Sequence, residues 1–323
     1  MAYDRTVFLP IDPNAAFDLV TQPERLRRWC AISARVDLCL GGEFRWTITP
    51  GNVALGTVTE IEPGRLVSYA FGWVSDPNLP PGTSKVTITM EPFNNGTNVR
   101  LVHEGLTKEQ EVDHAEGWDH FLERLVGYAT TGKEAADPWN AAPDNLDEIK
   151  SADASLVIAQ LILQEVKPSD LSKPTPCADF NLQQLIDHQY KTIVDVAESL
   201  GIKAPVTPDP SFEVRLADLA QKIVEAFQHR GLGGTLQLGP HTLPANIVAN
   251  ILNIDLLIHA LDIAQSIHQE IAVAPALADY VLALSRQTVS PEVRASGAFA
   301  EEIPVSDADE SLKRLLAFTG RKF

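Results

Sequence analysis

The sequence predicts an α+β fold for the first part of the chain and an all-α four-helix bundle for the second. Short alternating segments separated by Gly- and Pro-containing turns fill the first ~140 residues, and long helical periods fill the remainder. The chain of 323 residues also exceeds the usual size of one hydrophobic core. We therefore expect a curved antiparallel sheet with a long C-terminal helix, followed by a separate helical domain.

The elements of the first domain follow from the periodicity of its apolar residues. A short strand at residues 7–10 and a helix at 13–20 come first. Six half-buried antiparallel strands are then predicted at residues 35–38, 43–48, 55–61, 66–73, 85–91 and 97–104. Residues 108–131 have the period of an amphipathic helix, whose apolar stripe must be buried against the sheet. The expected result is one sheet that grips one long helix.

The predicted domain boundary lies in a stretch that has neither period and contains two prolines. Residues 1–135 are assigned to the first domain, 136–143 to a linker and 144–323 to the second domain. Helices of the second domain are predicted at residues 146–165, 182–200, 211–229, 244–269 and 275–285, with 201–210 as a long connection beside a pocket. Asn181 is the predicted N-cap of the second of these helices, because its side-chain oxygen accepts from amides of the first turn.

Charge and composition exclude several classes of function. The formal net charge is −17, from 43 acidic and 26 basic residues, which opposes binding to nucleic acid or to an anionic membrane. No apolar run reaches the ~18 residues of a membrane span, and no secretory signal is visible. The three cysteines are scattered, which favours neither a zinc knuckle nor a disulfide framework. We expect a cytoplasmic protein with no nucleic-acid or membrane partner.

The most informative functional pattern is Asp255-Leu-Leu-Ile-His259. Residues four apart share one face of a helix, and His188 on a separate predicted helix supplies a third candidate ligand. Two imidazoles and one carboxylate suit a divalent metal, zinc first and nickel, iron or manganese as alternatives, and they leave positions open for water or substrate. The competing interpretations are packing histidines, or a degenerate site that kept the fold and lost the ion. Asp262 either orients His259 as an acceptor or is a packing acid.

Other residues carry weaker signals. Five aromatic residues of the first domain either line a ligand cavity or pack in its core: Trp46, Phe71, Trp73, Trp118 and Phe121. Cys177 is interpreted as a packing residue, because the adjacent sequence offers Asp179 and no cation that would favour a thiolate. His241 is expected in an exposed loop, with an acid or base role as the alternative. Polar surface or cavity rim is expected for His103, Glu104, His114 and His120, and helix ends for His229 and His268.

The first half of the chain resembles the START-like helix-grip proteins related to the activator of the heat-shock-protein-ninety ATPase. The resemblance is carried by Phe17-Asp18-Leu19-Val20, Arg28-Trp29, Gly41-Gly42-Glu43-Phe44 and Gly117-Trp118-Asp119-His120-Phe121-Leu122-Glu123-Arg124-Leu125, over ~130 residues. It implies a cavity between the sheet and the long helix.

The second half is similar to the DinB-like, mycothiol-dependent maleylpyruvate isomerase-like metal-binding family. The motifs are Thr175-Pro176-Cys177-Ala178-Asp179-Phe180, Leu185-Ile186-Asp187-His188 and Asp255-Leu256-Leu257-Ile258-His259-Ala260-Leu261-Asp262-Ile263-Ala264. The resemblance implies that His188, Asp255 and His259 hold a divalent metal. The isomerase itself carries glutamate at the position of Asp255, so the resemblance does not imply isomerase activity.

These observations lead to two functional hypotheses. The first is a metal-dependent enzyme acting on a small-molecule substrate, of the thiol-dependent transferase or isomerase class, with a low-molecular-weight thiol such as mycothiol as cosubstrate. In this hypothesis the helix-grip domain contributes an apolar pocket or an assembly surface for a homo-oligomer. The second is a non-catalytic module that binds a hydrophobic ligand or associates with a chaperone and carries a structural metal.

Overall fold

The computed structural model describes residues 2–177, 179–204 and 211–322, so most of the predicted connection at 201–210 lies outside the described residues. The chain divides into two compact units, Met1–Trp139 and Asn140–Phe323. Each unit has its own buried apolar residues, in keeping with a chain longer than one core supports.

The first unit is built on a seven-stranded antiparallel sheet in the order β1-β7-β6-β5-β4-β3-β2. Its strands are β1 (Ala2–Leu9), β2 (Ser33–Val36), β3 (Glu43–Thr49), β4 (Asn52–Glu62), β5 (Leu66–Trp73), β6 (Ser84–Phe93) and β7 (Gly96–Glu104). The first strand is longer than predicted, because it pairs with β7 from Ala2 opposite Glu104 to Leu9 opposite Thr97. Register shifts in β3–β4 and β4–β5 bend the sheet, which is how a sheet is curved around a helix.

Three helices accompany this sheet: α1 (Pro13–Thr21), α2 (Pro23–Leu26) and α3 (Lys108–Thr131). The bounds of α3 confirm the sequence prediction. A capping box between Thr107 and Gln110 begins α3, and Gly132 ends it with a left-handed φ of 68°. The side chains that α3 buries are Trp118, Phe121, Leu122 and Leu125. The first unit is therefore the expected α+β arrangement of a curved antiparallel sheet and a long C-terminal helix.

The segment after α3 packs back onto the first unit. Asp137 accepts hydrogen bonds from His120, at 3.0 Å, and forms an ion pair with Arg124, at 3.1 Å. The ring of Trp139, within a short 3₁₀ turn at Pro138–Asn140, stacks on His120 with centroids 4.2 Å apart. Residues 136–139, which were predicted as part of the linker, therefore have defined partners within the first unit.

The second unit is mainly helical, with seven helices and one hairpin among its described residues. They are α4 (Glu148–Glu165), α5 (Leu182–Ser199), α6 (Phe212–Arg230), β8 (Thr235–Leu238), β9 (His241–Pro244), α7 (Ala245–Ile267), α8 (Pro275–Thr288), α9 (Pro291–Ala295) and α10 (Ser311–Phe318). The expectation of an all-α unit is wrong at β8–β9. Each strand has only four residues, too few for alternation to be recognised, and Gly239 makes the turn between them with a φ of 54°.

Helix α7 lies at the centre of the second unit. It packs against α4, α5 and α8, and 89% of its most apolar 18-residue window is buried. The mean hydropathy of that window is 1.7, so by length and composition alone α7 is apolar enough to cross a membrane. A helix that is apolar on all sides is also what the middle of a packed core requires. The few charged residues of α7 are consequently buried.

Candidate metal centre

Two helices of the second unit position the residues of the candidate metal centre. His188 lies on α5, and Asp255 and His259 lie one turn apart on α7. The capping box of Asn181 and Gln184 begins α5, which confirms Asn181 as the N-cap. The register between the helices is supported by a buried hydrogen bond of 3.2 Å from Gln189 Nε2 to the main-chain oxygen of Asp255. This contact brings the neighbouring His188 to the part of α7 that carries the other two residues.

The three predicted ligands converge. One ligand atom each from His188, Asp255 and His259 lies within 4.8 Å of the others, and His259 Nε2 is 3.5 Å from Asp255 Oδ1. The imidazole centroids of the two histidines are 5.3 Å apart with rings nearly perpendicular. Ligand atoms of a tetrahedral zinc site with bonds of about 2.0–2.1 Å lie about 3.3 Å apart, so small side-chain movements suffice to reach it. His188 is exposed and the other two are buried, which leaves the site open on the His188 side.

Asp255 is a buried carboxylate with unused acceptor capacity. Its side chain is 6% exposed, and within the described parts of the chain Oδ2 has no hydrogen-bond partner. Burial raises the pKa of Asp255 to about 7, against the opposing attraction of His259. An acceptor buried without a partner is costly, and such atoms in native proteins call for an explanation. A cation shared with the two imidazoles would satisfy it.

Asp262 orients His259 from the opposite side. Its Oδ2 is 3.2 Å from His259 Nδ1, so an N–H at Nδ1 donates to Asp262 and Nε2 faces Asp255, where it becomes a ligand once its proton is displaced. Although burial opposes it, Asp255 and Asp262 together raise the pKa of His259 to about 10. Arg321, which follows α10, donates from Nε and Nη2 to the two oxygens of Asp262 at 3.2 and 2.9 Å. Despite burial, His259 and Arg321 lower the pKa of Asp262 to about 2.

The charges of this cluster indicate where a cation fits. Two buried carboxylates and one guanidinium leave one negative charge when the imidazoles are neutral, so the cluster favours one additional cation, either a proton or a metal ion. A second group, Cys177, His259 and Asp262, also has ligand atoms within 4.8 Å. In that group Asp262 already pairs with Arg321, whose guanidinium would repel a metal ion. The set with Asp255 is therefore the better cation site.

Two neighbours of the centre were not predicted. Sequence proximity suggested that Cys177 has no cation nearby, yet its Sγ is 3.5 Å from Arg321 Nη2 and 3.4 Å from Asp262 Oδ2. The packing interpretation of Cys177 is thus incomplete, since the thiol is half-buried and lines the pocket. Arg321 carried no periodic or motif signal. The only sequence clue was Asp262 itself, because an acid on such an apolar helix needs a partner.

The centre opens into a cavity of about 530 Å³. Apolar walls come from Ile251, Ile254, Ile258, Phe180 and Phe299, and the polar lining includes Cys177, His188, Asp255, His259 and Arg321. His241 does not line this cavity; it is exposed on β9, a strand and not a loop. His229 lies in the last turn of α6 and His268 caps α7, so both occupy helix ends as predicted.

The first unit contains a second cavity, of about 460 Å³. Four of the five predicted aromatic residues line it, namely Phe71, Trp73, Trp118 and Phe121, together with Trp139. Trp46 does not line it, so of the two alternatives for Trp46 the structure shows core packing and not the cavity. The ring of Trp46 is 1% exposed and packs 4.6 Å from Phe44 and 5.0 Å from Tyr69, because its strand position points it into the apolar core.

The histidines of the first unit occupy different environments. His103 is fully buried, and not on the polar surface as predicted; its Nδ1 accepts a hydrogen bond from Trp118 Nε1 at 3.1 Å and its Nε2 lies 2.9 Å from Ser84 Oγ. Burial, together with the nearby His114, lowers the pKa of His103 to about 3. His114 lines the cavity, where its Nε2 accepts from Trp73 Nε1 at 3.0 Å. His120 is half-buried beside Asp137.

Comparisons with known proteins give a family model that matches part of the first unit and two relatives that match half of the chain. Residues 10–130 match the family model described as Activator of Hsp90 ATPase homolog 1-like protein. The uncharacterized proteins Rv0738 and MT0763 of two Mycobacterium tuberculosis strains are 30% identical over 169 residues, which is 50% of this chain and 90% of each relative.

Two solved structures that are similar to this chain each cover less than half of it. The AHSA1-like protein RHE_CH02687 from Rhizobium etli is 34% identical, with 46% of this chain and 91% of that chain covered and a TM-score of 0.37. DynU16, a protein of the dynemicin biosynthetic locus, is 20% identical with a TM-score of 0.38. That match covers 43% of this chain and half of DynU16.

Proposed function

We propose that this chain is a divalent-metal-binding protein that acts as an enzyme on a small molecule. Through residues 10–130 it is a member of the Activator of Hsp90 ATPase homolog 1-like family, and it is a relative of Rv0738 of Mycobacterium tuberculosis. The chemistry is assigned to the second unit. The observation that carries the proposal is the convergence of His188, Asp255 and His259 within 4.8 Å at the wall of a cavity.

The donor set fits a borderline divalent ion. Two imidazole nitrogens and one carboxylate oxygen suit zinc first, and nickel, iron or manganese also accept such a set. Asp255 supplies the oxygen atom that otherwise lacks a partner, and Asp262 holds His259 with Nε2 toward the ion. A divalent ion held there would lower the pKa of a bound water from 15.7 to about 7, or hold a thiol as its thiolate.

The side chains around the centre favour an anionic reactant. With a divalent ion, the two carboxylates and the guanidinium of Arg321 sum to one positive charge, which attracts a thiolate or a carboxylate. The apolar walls formed by Ile251, Ile254 and Ile258 would pack against the carbon skeleton of a ligand. The resemblance of the second half supports a low-molecular-weight thiol such as mycothiol as cosubstrate, in a thiol transfer, conjugation or isomerisation.

Metal analysis of protein purified without chelator or nickel resin tests the site. We expect about one divalent ion per chain in the wild type, and loss of that ion in His188→Ala and His259→Ala while the far-UV circular dichroism stays unchanged. His229→Ala and His241→Ala are matched controls, because both histidines are exposed and neither lines the cavity. The proposal fails if the site variants retain as much metal as the controls, or if the wild type binds none.

The arm length at position 255 gives a second test. Asp255→Asn keeps the size of the side chain and removes its charge, so we expect metal affinity to fall. Asp255→Glu keeps the charge, and because the isomerase carries glutamate there we expect it to retain the ion. Consumption of a low-molecular-weight thiol with a small electrophile then measures turnover. If the protein binds metal but shows no turnover that is lost in His259→Ala, the result would favour a structural metal.

A second candidate function belongs to the first unit. The cavity of about 460 Å³ beside α3 has a size and an aromatic lining typical of small-molecule sites, which supports a ligand-binding module. This function needs no metal and is compatible with the first. Assembly as a homo-oligomer and a cytoplasmic location stay predictions, which light scattering and cell fractionation would check.

A further inference from the structure

The cavity of the first unit has walls of aromatic rings and a rim of carboxylates. Phe71, Trp73, Trp118, Phe121 and Trp139 supply the rings, and half-buried Asp76 and exposed Asp113 supply the carboxylates. Within residues 2–177, 179–204 and 211–322, no lysine or arginine lines it. The sign of the charge around this cavity is therefore uniformly negative.

Two indole N–H donors and one imidazole of the cavity are already engaged in hydrogen bonds within the first unit. Trp73 Nε1 donates to His114 Nε2 at 3.0 Å, and Trp118 Nε1 donates to His103 Nδ1 at 3.1 Å. The other ring nitrogen of His114 lies 2.7 Å from the main-chain oxygen of Gln110 and donates to it. These hydrogen bonds occupy the polar edges of the rings, whereas the ring faces carry the negative π-electron density.

The charge of Arg124, which lies on α3, is also engaged. Its Nε forms an ion pair with Asp137 Oδ2 at 3.1 Å, and its other nitrogens donate to the main-chain oxygens of Ala135 and Ala136. Arg124 is not part of the cavity lining. It therefore does not offset the negative charge of the rim.

We propose that this cavity binds a small organic cation, an ammonium or quaternary ammonium group carried on an apolar body. The ring faces attract the cation, the carboxylates at the rim complement its charge, and the apolar lining receives its body. The inference rests on the ligand-binding function of the first unit and is independent of the metal centre.

Three probes of nearly equal size separate charge from shape. Benzyltrimethylammonium carries the cation, neopentylbenzene is its neutral carbon isostere, and 3-phenylpropionate carries an anion. Binding to the full-length protein is measured by calorimetry and by tryptophan emission, since Trp73, Trp118 and Trp139 line the cavity. We expect the cation to bind at least roughly fivefold more tightly than the isostere, and the anion to bind most weakly.

Carboxamide variants locate the charge effect. Asp113 lies on the exposed side of α3, so Asp113→Asn should leave the fold unchanged. Asp76→Asn keeps an acceptor for the main-chain N–H of Asn78. We expect the double variant to weaken cation binding by roughly five- to tenfold and to leave the isostere unaffected. Glu116→Gln removes one charge from the same helix outside the cavity lining, and it should change binding by less than about twofold.

The outcomes distinguish this inference from the function on which it rests. Equal affinity for the cation and the isostere would overturn the cation preference while ligand binding itself stands. Tighter binding of the anion, or an unchanged preference in the double carboxamide variant, would also overturn it. If none of the probes binds at millimolar concentration, both the cation preference and the ligand-binding function are wrong.

Discussion

The burial of His103 predicts a pH dependence of the stability of the first unit. His103 lies on β7 with no exposed surface, and its Nδ1 accepts the indole N–H of Trp118. A proton at Nδ1 would break this hydrogen bond and place a charge among Phe71, His114 and Trp118, whose rings surround the imidazole at centroid distances of 5.0–6.1 Å. The folded state therefore holds the imidazole neutral.

The sign and size of the effect follow from the two pKa values. Burial lowers the pKa of His103 from 6.5 to about 3, so between these values the unfolded chain binds a proton that the folded chain does not. The stability contribution is fully present above pH 6.5 and is lost progressively as the pH falls toward 3. Linkage gives a loss of about 2 kcal/mol in the free energy of unfolding between pH 8 and pH 5.

Urea unfolding followed by tryptophan emission isolates this effect, because all five tryptophans lie in the first unit. The comparison is with His103→Asn, whose side-chain oxygen can occupy the place of Nδ1 and accept from Trp118 without titrating. The variant is expected to be less stable at pH 8, since asparagine is a poor strand residue, but to lose about 2 kcal/mol less than the wild type on going to pH 5. Equal losses in the two proteins would refute the reasoning.

Four further substitutions test packing and charge. Arg321→Met should lower the free energy of unfolding of the metal-free second unit by about 3–5 kcal/mol, because it removes one partner of the buried ion pair between Arg321 and Asp262. Adding Asp262→Asn should recover most of that loss, and urea unfolding followed by circular dichroism measures both changes. Gly72→Ala should destabilise the first unit by about 1–3 kcal/mol, because the new Cβ would lie 2.1 Å from the main-chain oxygen of Pro80. Gly127→Ala should stabilise the same unit by about 0.5–1 kcal/mol, because it lies within α3 with nothing within 4 Å of the added Cβ. Tryptophan emission reports both glycine variants.

Contrary outcomes are equally specific. A double variant no more stable than Arg321→Met would show that the guanidinium contributes through packing and not through its charge. If Gly72→Ala has the same urea midpoint of unfolding as the wild type, the loop at Pro80 moves away from the new Cβ without a loss of stability. A Gly127→Ala protein less stable than the wild type would mean that this part of α3 is more closely packed than its exposure indicates.

The local periodicity of apolar residues was sufficient to predict most helices and strands of the first unit. The bounds of α3 and β5 were predicted to the residue, because the 3.6-residue and two-residue periods persist there over several repeats. β1 was predicted too short, since its full length depends on pairing with β7. In the second unit the hairpin of β8 and β9 was missed, because each strand spans only four residues.

For the candidate metal centre, the sequence alone determined the relative positions of the residues that lie on one helix. Asp255 and His259 share a face of α7 because of helical geometry, and Asp262 stands one turn further on. The approach of His188 was inferred from resemblance, and its distance from His259 is set by the packing of α5 against α7.

Only the tertiary structure decided which distant residues surround these positions. Arg321 reaches Asp262 across 59 positions of the chain, and it brings a cation to Cys177 that no neighbour in sequence supplies. In the first unit the fold separates Trp46, which is buried in the core, from Trp73, which lines the cavity, although both are aromatic residues of strands. Periodicity describes which side of an element a residue faces, whereas the charge and shape of its surroundings come from other segments that packing brings together.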